Sequence, residues 1–277
     1  MKSLGVGGLG NELNHIFSML VVPRFIPRAI TREIRFKNKQ GLILHGPPGT
    51  GKTSIARAIA KILNGKLQVV RGPEIFSQLT GSSEAKIREV FYSAINDLEA
   101  KGEESPLHVI VFDELDSISR QRGTNPFNTT GDRIVNQLLT MIDGYTSLSN
   151  ILLIGTTNRI DLIDTALTRP GRVELHLKIG LPDEAGRLEI LRINVKRLQW
   201  RGMIDPHLEL QKIVTDTEGF SGADLEALIQ TAYCNAMDRH VKSDISKTDW
   251  AAIIVVAPDI YRAVVALRTA KDCSAKG

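Results

Sequence analysis

Short apolar runs alternate with helically periodic stretches over most of the chain. The runs that predict strands are Leu42–Leu44, Leu67–Val70, Val109–Phe112, Ile151–Ile154 and Val173–Ile179. The first, third and fourth runs are almost continuously apolar, as expected when both faces of a sheet are covered. Strands that alternate with helices predict an α/β fold with a mostly parallel sheet. Ligands of such sheets bind at the carboxyl ends of the strands.

Apolar residues at helical spacing indicate the helices between these strands. They are Ile87, Val90, Phe91, Ala94, Ile95 and Leu98 in one stretch, and Ile134, Leu138 and Ile142 in another. After Leu181-Pro182-Asp183 the pattern is helical, and Ser221 and Asp224 form an [ST]-x-x-[DE] signal for a helix start. We therefore expect a large α/β domain over 1–181 and a small helical lid over 182–243.

The pattern weakens after Asp244, so 244–277 is left as a divergent C-terminal tail without an assigned structure. Within it, Ala251–Pro258 fits either a strand or a buried helical turn, and Lys271–Gly277 is typical of a frayed end.

Composition narrows the class of protein. The 277 residues are 42% hydrophobic, which is enough for a real core, but only 5% aromatic, which argues against a base-stacking surface for nucleic acid. The net charge of +4 is a small excess of well-mixed charges. Two cysteines, Cys234 and Cys273, cannot form a disulfide framework, which suits a reducing cytosol. No apolar stretch approaches the ~18 residues of a membrane span, and Met1–Leu20 is too interrupted by polar residues for a signal peptide.

A glycine-rich segment, Gly46-Pro47-Pro48-Gly49-Thr50-Gly51-Lys52-Thr53, follows the first predicted strand and precedes a helical pattern. This strand–loop–helix context favours a phosphate-binding loop, because its glycines allow the backbone N–H groups to face anionic oxygens. Lys52 can reach the β/γ-phosphates and the Thr53 hydroxyl can ligate Mg²⁺. The alternative is a Gly/Pro-rich surface turn.

A second segment, Val109–Glu114, is an apolar strand that ends in two carboxylates. Asp113 stands where a Walker-B acid holds the Mg²⁺ shell, and Glu114 can polarise a water for attack on the γ-phosphate. Alone, the segment could be an ordinary buried strand that runs into a polar loop. Together with the phosphate loop, it makes ATP hydrolysis the leading hypothesis.

Two further segments carry candidate chemistry. Asn158 closes the fourth predicted strand, where it could orient the attacking water or be part of a polar turn. Arg169 and Arg172 flank a Pro-Gly turn, which predicts that both project rigidly into solvent. They fit either a solvated basic loop or arginine fingers acting in cis or in a neighbouring subunit. Action in a neighbour requires a ring or filament of like subunits.

These residues resemble the AAA family of ATPases. The segment from Thr156 to Arg172 is similar to the family's second region of homology, and Gly219–Leu225 is similar to its lid motif. Softer matches resemble the vesicle-fusing branch, which uses ATP to take apart SNARE complexes: Gly7–Leu9, Asn14–Phe17, Val135–Leu139, Ile179–Glu184 and Asp238–His240. The resemblance implies a homohexamer, SNARE substrates reached through SNAP-type adaptors, no nucleic-acid partner, and a cytoplasmic location with transient recruitment to membranes.

The resemblance also implies roles for single residues. Glu114, Asn158, Arg169 and Arg172 would be catalytic, the last two as fingers in the neighbouring subunit. Thr53 and Asp113 would hold Mg²⁺. ATP or ADP would be bound by Gly46, Pro47, Pro48, Gly49, Thr50, Gly51, Lys52, Thr53, Ser54, Asp113 and Asn194, with Val6, Gly7, Gly222 and Ala223 beside the adenine.

The chain departs from the family pattern at several positions. The expected channel loop, Gln78–Glu84, has Leu79 where an aromatic residue usually grips substrate, and Asn194 replaces a usual histidine. Thr50 leaves the phosphate loop without a thiol. The adaptor-binding domain and second ATPase domain of the vesicle-fusing branch have no counterpart here, as in a fragment or a short gene product. Two alternatives therefore remain: an unfoldase of the valosin-containing type, and a nucleotide-binding assembly subunit without remodelling activity.

Overall fold

The computed structural model describes residues 14–34, 36, 38–75, 82–119, 129–144, 150–241 and 252–276. They divide into two compact units. The first comprises the described residues of Gly10–Pro47 and Lys52–Ile179. The second comprises those of Gly180–Gly277 together with Pro48–Gly51, the tip of the glycine-rich loop.

A parallel sheet forms the centre of the first unit. Its strands are β1 (Gly41–His45), β2 (Lys66–Arg71), β3 (His108–Asp113), β4 (Ile151–Thr157) and β5 (Leu175–Lys178). Their order across the sheet is β2-β3-β4-β1-β5, and every pairing is parallel. The three most apolar strands, β1, β3 and β4, are the three interior ones and are almost wholly buried. The predicted strands and the α/β class are thus confirmed.

Helices precede and connect these strands. They are α1 (Arg28–Glu33), α2 (Lys52–Ile62), α3 (Gly72–Ile75), α4 (Ser82–Lys101), α5 (Leu115–Ile118) and α6 (Thr129–Gly144). The helical spacing predicted for two of them is confirmed, because Ile87 and Phe91 of α4 and Ile134 and Leu138 of α6 are buried in the core shared with the sheet. Ahead of the sheet, Phe17–Val21 forms a π-helical turn and Val22–Phe25 a 3₁₀ turn.

The second unit is helical. It contains α7 (Glu184–Trp200), α8 (Leu210–Thr215), α9 (Gly222–His240) and α10 (Ala257–Lys276). Asp183 caps α7 by accepting a hydrogen bond from the Gly186 N–H at 2.8 Å. The capping signal predicted at the start of α9 is confirmed, because Ser221 and Asp224 exchange side chain-to-backbone hydrogen bonds.

Helix α10 lies in the part of the chain that the sequence pattern leaves unassigned. Its residues Ile260, Ala263 and Val264 are buried in one core with α7, α8 and α9. Just before it, Val255 forms a single parallel bridge with Ile204. The helix continues through Lys271, where a frayed end is expected from the sequence.

Among the described helices, none combines the length and the apolar composition that a membrane crossing requires.

Candidate active site

The glycine-rich loop leaves β1 at Gly46, whose φ of 144° is in the region that favours glycine. A side chain there would collide with the carbonyl oxygen of Ile179, the residue that follows the neighbouring strand β5 in the chain. This close approach of two backbones fixes where the loop begins. Farther along, Gly49 and Gly51 also have positive φ, at 74° and 85°, and a Cβ at Gly51 would face open space. The loop therefore has the backbone shape and the room that a phosphate cradle needs.

Lys52 is the first residue of α2 and is only 8% exposed. Its ammonium donates to the carbonyl oxygens of Gly46 at 2.9 Å and Pro47 at 2.6 Å. Burial lowers the pKa of Lys52, while the nearby carboxylates of Asp113 and Asp116 act in the opposite direction. The Lys52 ammonium is thus held under the loop. A phosphate oxygen that replaced one of the two carbonyl oxygens would compensate this buried charge for the water it has lost.

Asp113 joins three elements at the carboxyl edge of the sheet. One of its oxygens, Oδ1, accepts a hydrogen bond from the Thr53 hydroxyl of α2 at 2.8 Å and another from the Thr156 hydroxyl of β4. Close by, Asp116 accepts a hydrogen bond from Thr157 at 2.6 Å. Hydroxyl and carboxylate oxygens are the ligands that Mg²⁺ prefers, so the residues present fit that ion. No cluster of three or more His, Cys, Asp or Glu side chains suited to a metal occurs within the described ranges.

Glu114 has a strained backbone. Its φ of 56° and ψ of 51° are left-handed, a region that non-glycine residues rarely occupy. Hydrogen bonds fix this conformation, because the Glu114 N–H donates to the Thr156 hydroxyl at 3.3 Å and its carbonyl accepts from the Ser117 N–H and hydroxyl at 2.9 and 2.8 Å. A Cβ at Gly72, at the start of α3, would lie 2.6 Å from that carbonyl. The carboxylate itself is presented on an exposed residue next to Asp113.

Asn158 follows β4 and is exposed.

The two arginines differ. Arg169 is exposed, as the sequence predicts. The prediction that Arg172 also projects into solvent is wrong. Its guanidinium makes a two-point ion pair with Asp143, with Nε–Oδ1 and Nη2–Oδ2 distances of 2.7 and 2.5 Å, and it donates to the Ala166 carbonyl at 2.5 Å. These contacts fasten the Pro-Gly turn to the end of α6 and leave Arg169 as the projecting cation.

Lid residues of the second unit contact the loop tip that belongs to the same unit. The Ala223 N–H donates to the Gly49 carbonyl at 3.0 Å, and a Cβ at Gly222 would lie 3.2 Å from that oxygen. On α7, the amide nitrogen Nδ2 of Asn194 is buried without a hydrogen-bond partner among the described residues. A buried, unpaired donor of this kind is what a polar ligand atom would satisfy.

Other predicted residues contribute less. Pro47, Pro48 and Ser54 are exposed, and Thr50 is half-buried. Val6 and Gly7, and most of the expected channel loop including Leu79, lie outside the described residues.

Residues 42–181 match the family described as "ATPase family associated with various cellular activities (AAA)", which is half of the chain, and residues 207–252 match the "AAA+ lid domain". The chain belongs to the AAA family of ATPases. Helix α10 lies beyond both matched regions of this AAA chain.

Named relatives agree with the family. The AAA chain is 46% identical to "Vesicular-fusion protein SEC18" of Candida albicans over 87% of its own length and 31% of that protein. It is 45% identical to "Vesicle-fusing ATPase" of Arabidopsis thaliana, over 88% of the chain and 33% of the relative. It is 44% identical to "Vesicular-fusion protein SEC18" of Saccharomyces cerevisiae, over 95% and 36%. The chain thus spans about a third of the length of these relatives.

Sequence reasoning missed three side chains of the site: Thr156, Thr157 and Asp116. Their signal was available, because hydroxyl residues at the end of a strand next to β3 must face the edge where Asp113 lies. The structure places Thr156 between the hydrogen bonds of Asp113 and Glu114, so it aligns the two acidic residues.

Proposed function

We propose that this chain binds and hydrolyses ATP as the motor domain of a protein that remodels protein complexes, of the type that takes apart SNARE complexes. One observation carries the proposal. The hydroxyl of Thr53, next to Lys52 on the phosphate loop, is hydrogen-bonded to Asp113, and Glu114 follows Asp113 directly in a strained backbone conformation. Phosphate, metal and water groups would therefore meet at one edge of the sheet.

The site residues divide the work of hydrolysis. Lys52 would leave its loop carbonyls and bind the β- and γ-phosphate oxygens, and the N–H groups of the glycine-rich loop would bind the others. Thr53 and Asp113 would hold Mg²⁺, which when bound neutralises charge on the phosphate oxygens. Glu114 would accept a proton from the attacking water, and Asn158 would orient that water. Asn194, with Gly222 and Ala223 of the lid, would contact the nucleoside.

Arg169 would serve the site of a neighbouring subunit. An exposed guanidinium on a turn fastened by Arg172 and Asp143 is suited to stabilise charge that develops on a γ-phosphate outside its own chain. This role needs a ring or filament of like subunits, and we propose the homohexamer that the family resemblance implies. SNAP-type adaptors as partners, and a cytoplasmic location with recruitment to membranes, are proposed on the same resemblance and on the vesicle-fusion names of the relatives.

The test measures the ATPase rate per chain as a function of protein concentration. In parallel, the mass of the protein in solution is measured in the presence of a slowly hydrolysed ATP analogue. We expect the rate per chain to rise steeply with concentration as rings form, because the sites need fingers from neighbours. A rate that stays constant while the mass increases would contradict action in trans.

A second candidate function is a nucleotide-binding assembly subunit that does no work. Leu79 favours it, because the position lacks the aromatic side chain with which a channel loop holds a polypeptide. The same experiment separates the two. Assembly with the analogue but no measurable phosphate release from ATP would identify the assembly subunit, whereas stimulation of hydrolysis by an unfolded polypeptide would support the motor.

A further inference from the structure

Helix α10 carries a lysine that reaches the lid motif. The Lys271 ammonium is 2.6 Å from Asp224 Oδ2, donates to the Gly219 carbonyl at 3.0 Å, and lies 4.8 Å from the centre of the Phe220 ring. All three partners belong to the turn that begins α9. A single cation from the last helix thus binds a carboxylate, a carbonyl and an aromatic face of one turn.

Asp224 passes this contact to Ser221. The oxygen that faces Lys271, Oδ2, also accepts hydrogen bonds from the Ser221 N–H at 2.7 Å and hydroxyl at 2.8 Å. Burial raises the pKa of Asp224, but the hydrogen bonds from Lys271 and Ser221 outweigh it and lower the pKa below its usual value. The carboxylate therefore stays charged at neutral pH and holds the turn in one conformation.

The same turn lies directly on the phosphate loop. A Cβ placed at Gly49 would be 2.7 Å from the Ser221 hydroxyl oxygen and 3.0 Å from the Ala223 Cβ. The Ala223 N–H donates to the Gly49 carbonyl at 3.0 Å. Displacement of Ser221 or Ala223 would therefore move the loop tip or break its hydrogen bond, since there is no spare room between them.

We propose that Lys271 is a positioning residue for nucleotide: through Asp224 and Ser221 it holds the lid turn on Gly49, so that helix α10 forms part of the nucleotide-binding lid. The proposal rests on the proposed nucleotide-binding function. It concerns an element that neither matched family region contains. Lys271 acts through the turn and touches no reacting atom.

The first test compares Lys271→Met with the wild-type chain. Methionine keeps most of the unbranched stem and removes the charge. Because the Lys271 side chain is 42% exposed and the Asp224 side chain 27%, we expect a rise of about 3- to 5-fold in the Kd of a fluorescent ADP analogue, measured by equilibrium titration. Lys271→Arg should recover most of the affinity. The matched control is Lys212→Ala, which removes an exposed lysine of the same unit from its pair with Glu209 and should leave the Kd unchanged.

A double-mutant cycle tests the route through Asp224. In an Asp224→Asn background, Lys271→Met should change the Kd by less than in the wild-type background, because the charge that Lys271 binds is already gone. An undiminished effect would overturn the route. A Kd for Lys271→Met equal to that of the wild type, with only a lower melting temperature, would show a purely structural contact and overturn the proposal.

Hydrogen exchange separates this inference from the proposed function. If the wild-type chain binds no nucleotide, the proposed function fails, but the turn can still be examined. Lys271→Met should increase amide exchange at Ala223, whose N–H is bonded to Gly49, and leave exchange unchanged at the Gly186 amide, which Asp183 caps. Unchanged protection at Ala223 would show that Lys271 does not position the turn.

Discussion

At the carboxyl edge of the sheet, Asp113 accepts hydrogen bonds from hydroxyl groups on α2 and β4. Its neighbour Glu114 has a strained left-handed backbone conformation. At helix α10, two ion pairs are found instead. Asp259 pairs with Arg239 near the start of the helix, and Lys271 pairs with Asp224 three turns later. In the first region a strained backbone conformation positions polar groups. In the second region ion pairs attach helix α10 to the start and the end of α9.

This difference shows how to separate chemical from structural polar groups in one molecule. Convergence from several strands on a strained backbone indicates chemistry, and closed ion pairs between two packed helices indicate attachment. Substitutions at the sheet edge should therefore change rates without lowering stability. Substitutions along α10 should change stability and affinity and spare the chemical step.

The largest expected effect separates Arg169 from Arg172. Arg169→Ala should lower the ATPase rate by about 10³-fold or more, since a trans finger is worth ~10³–10⁵ in rate, and leave the melting temperature unchanged because the side chain is exposed. Arg172→Ala should lower the melting temperature as well, because it loses the ion pair with Asp143 and the hydrogen bond to Ala166. Steady-state ATPase assays and thermal unfolding measure both.

Mixing provides the control. Rings that contain both Arg169→Ala and Glu114→Gln subunits include interfaces with one intact site and one intact finger, so activity should reappear on mixing. Equal inactivity of the mixture, with mixed rings demonstrated by mass, would show that Arg169 does not act in trans.

The next effect concerns the carboxylate of Glu114. Glu114→Gln should reduce hydrolysis by ~10²–10⁴-fold, the usual value of a general base, and retain ATP binding, because the proposed role of Glu114 is to act on the water. Lys52→Ala should lose binding itself, because we propose that the ammonium binds the phosphates. Nucleotide titrations alongside phosphate-release assays distinguish the two variants. Normal hydrolysis by Glu114→Gln would remove the residue from the mechanism.

The two regions also differ in how far their sequences predict them. The sheet edge was predictable, because the three interior strands are almost continuously apolar runs and two of those runs lead into the phosphate loop and Asp113. The bound state of Arg172 was not, since its partner Asp143 is distant in sequence and is brought close only by the fold. Thr156 is an intermediate case, because its position at the end of an apolar run was a signal but the pairing of β4 with β3 is needed to place it beside Asp113.

Helix α10 was missed although its sequence contains a signal. Ile260, Ala263, Val264 and Leu267 have helical spacing, and all four contribute to the lid core. Pro258 lies in the first turn, where proline is favoured at a helix start. The sequence does not reveal the ion-pair partners of Lys271 and Asp259, because these partners are α9 residues that come within reach only when the two helices pack.

A smaller effect is expected where α10 begins. Asp259→Ala should lower the free energy of unfolding by about 2 kcal/mol, since the nearly buried carboxylate accepts hydrogen bonds from Arg239 and from the Val256 N–H. The hydrolysis rate measured well below the melting temperature should stay unchanged. Chemical denaturation and ATPase assays on the same preparation test this, and a slowed chemical step would contradict a purely attaching role for Asp259.

The same pair should respond to acid. Burial raises the pKa of Asp259, but Arg239 and the Val256 N–H more than offset it and hold the pKa below its usual value. A depressed pKa stabilises the fold at pH values above the unfolded pKa of about 3.9 and loses that contribution as pH falls through the folded value. The stability difference between wild type and Asp259→Ala should therefore be constant near neutrality and shrink below about pH 4. A difference that instead grew in acid would contradict the assignment.

The smallest expected effect concerns the free energy of the left-handed backbone conformation at Glu114. Glu114→Gly should relieve the left-handed strain at φ 56° and raise the free energy of unfolding by about 1 kcal/mol, while hydrolysis falls as it does in Glu114→Gln. The matched control is Asn64→Gly, because Asn64 also has a positive φ, at 48°, but lies in a turn between α2 and β2 away from the carboxyl edge. It should gain less, since asparagine tolerates this region, and should keep full activity. If Glu114→Gly were less stable than the wild type, the conformation would be favourable, and the sheet edge would no longer differ from α10 in storing strain for chemistry.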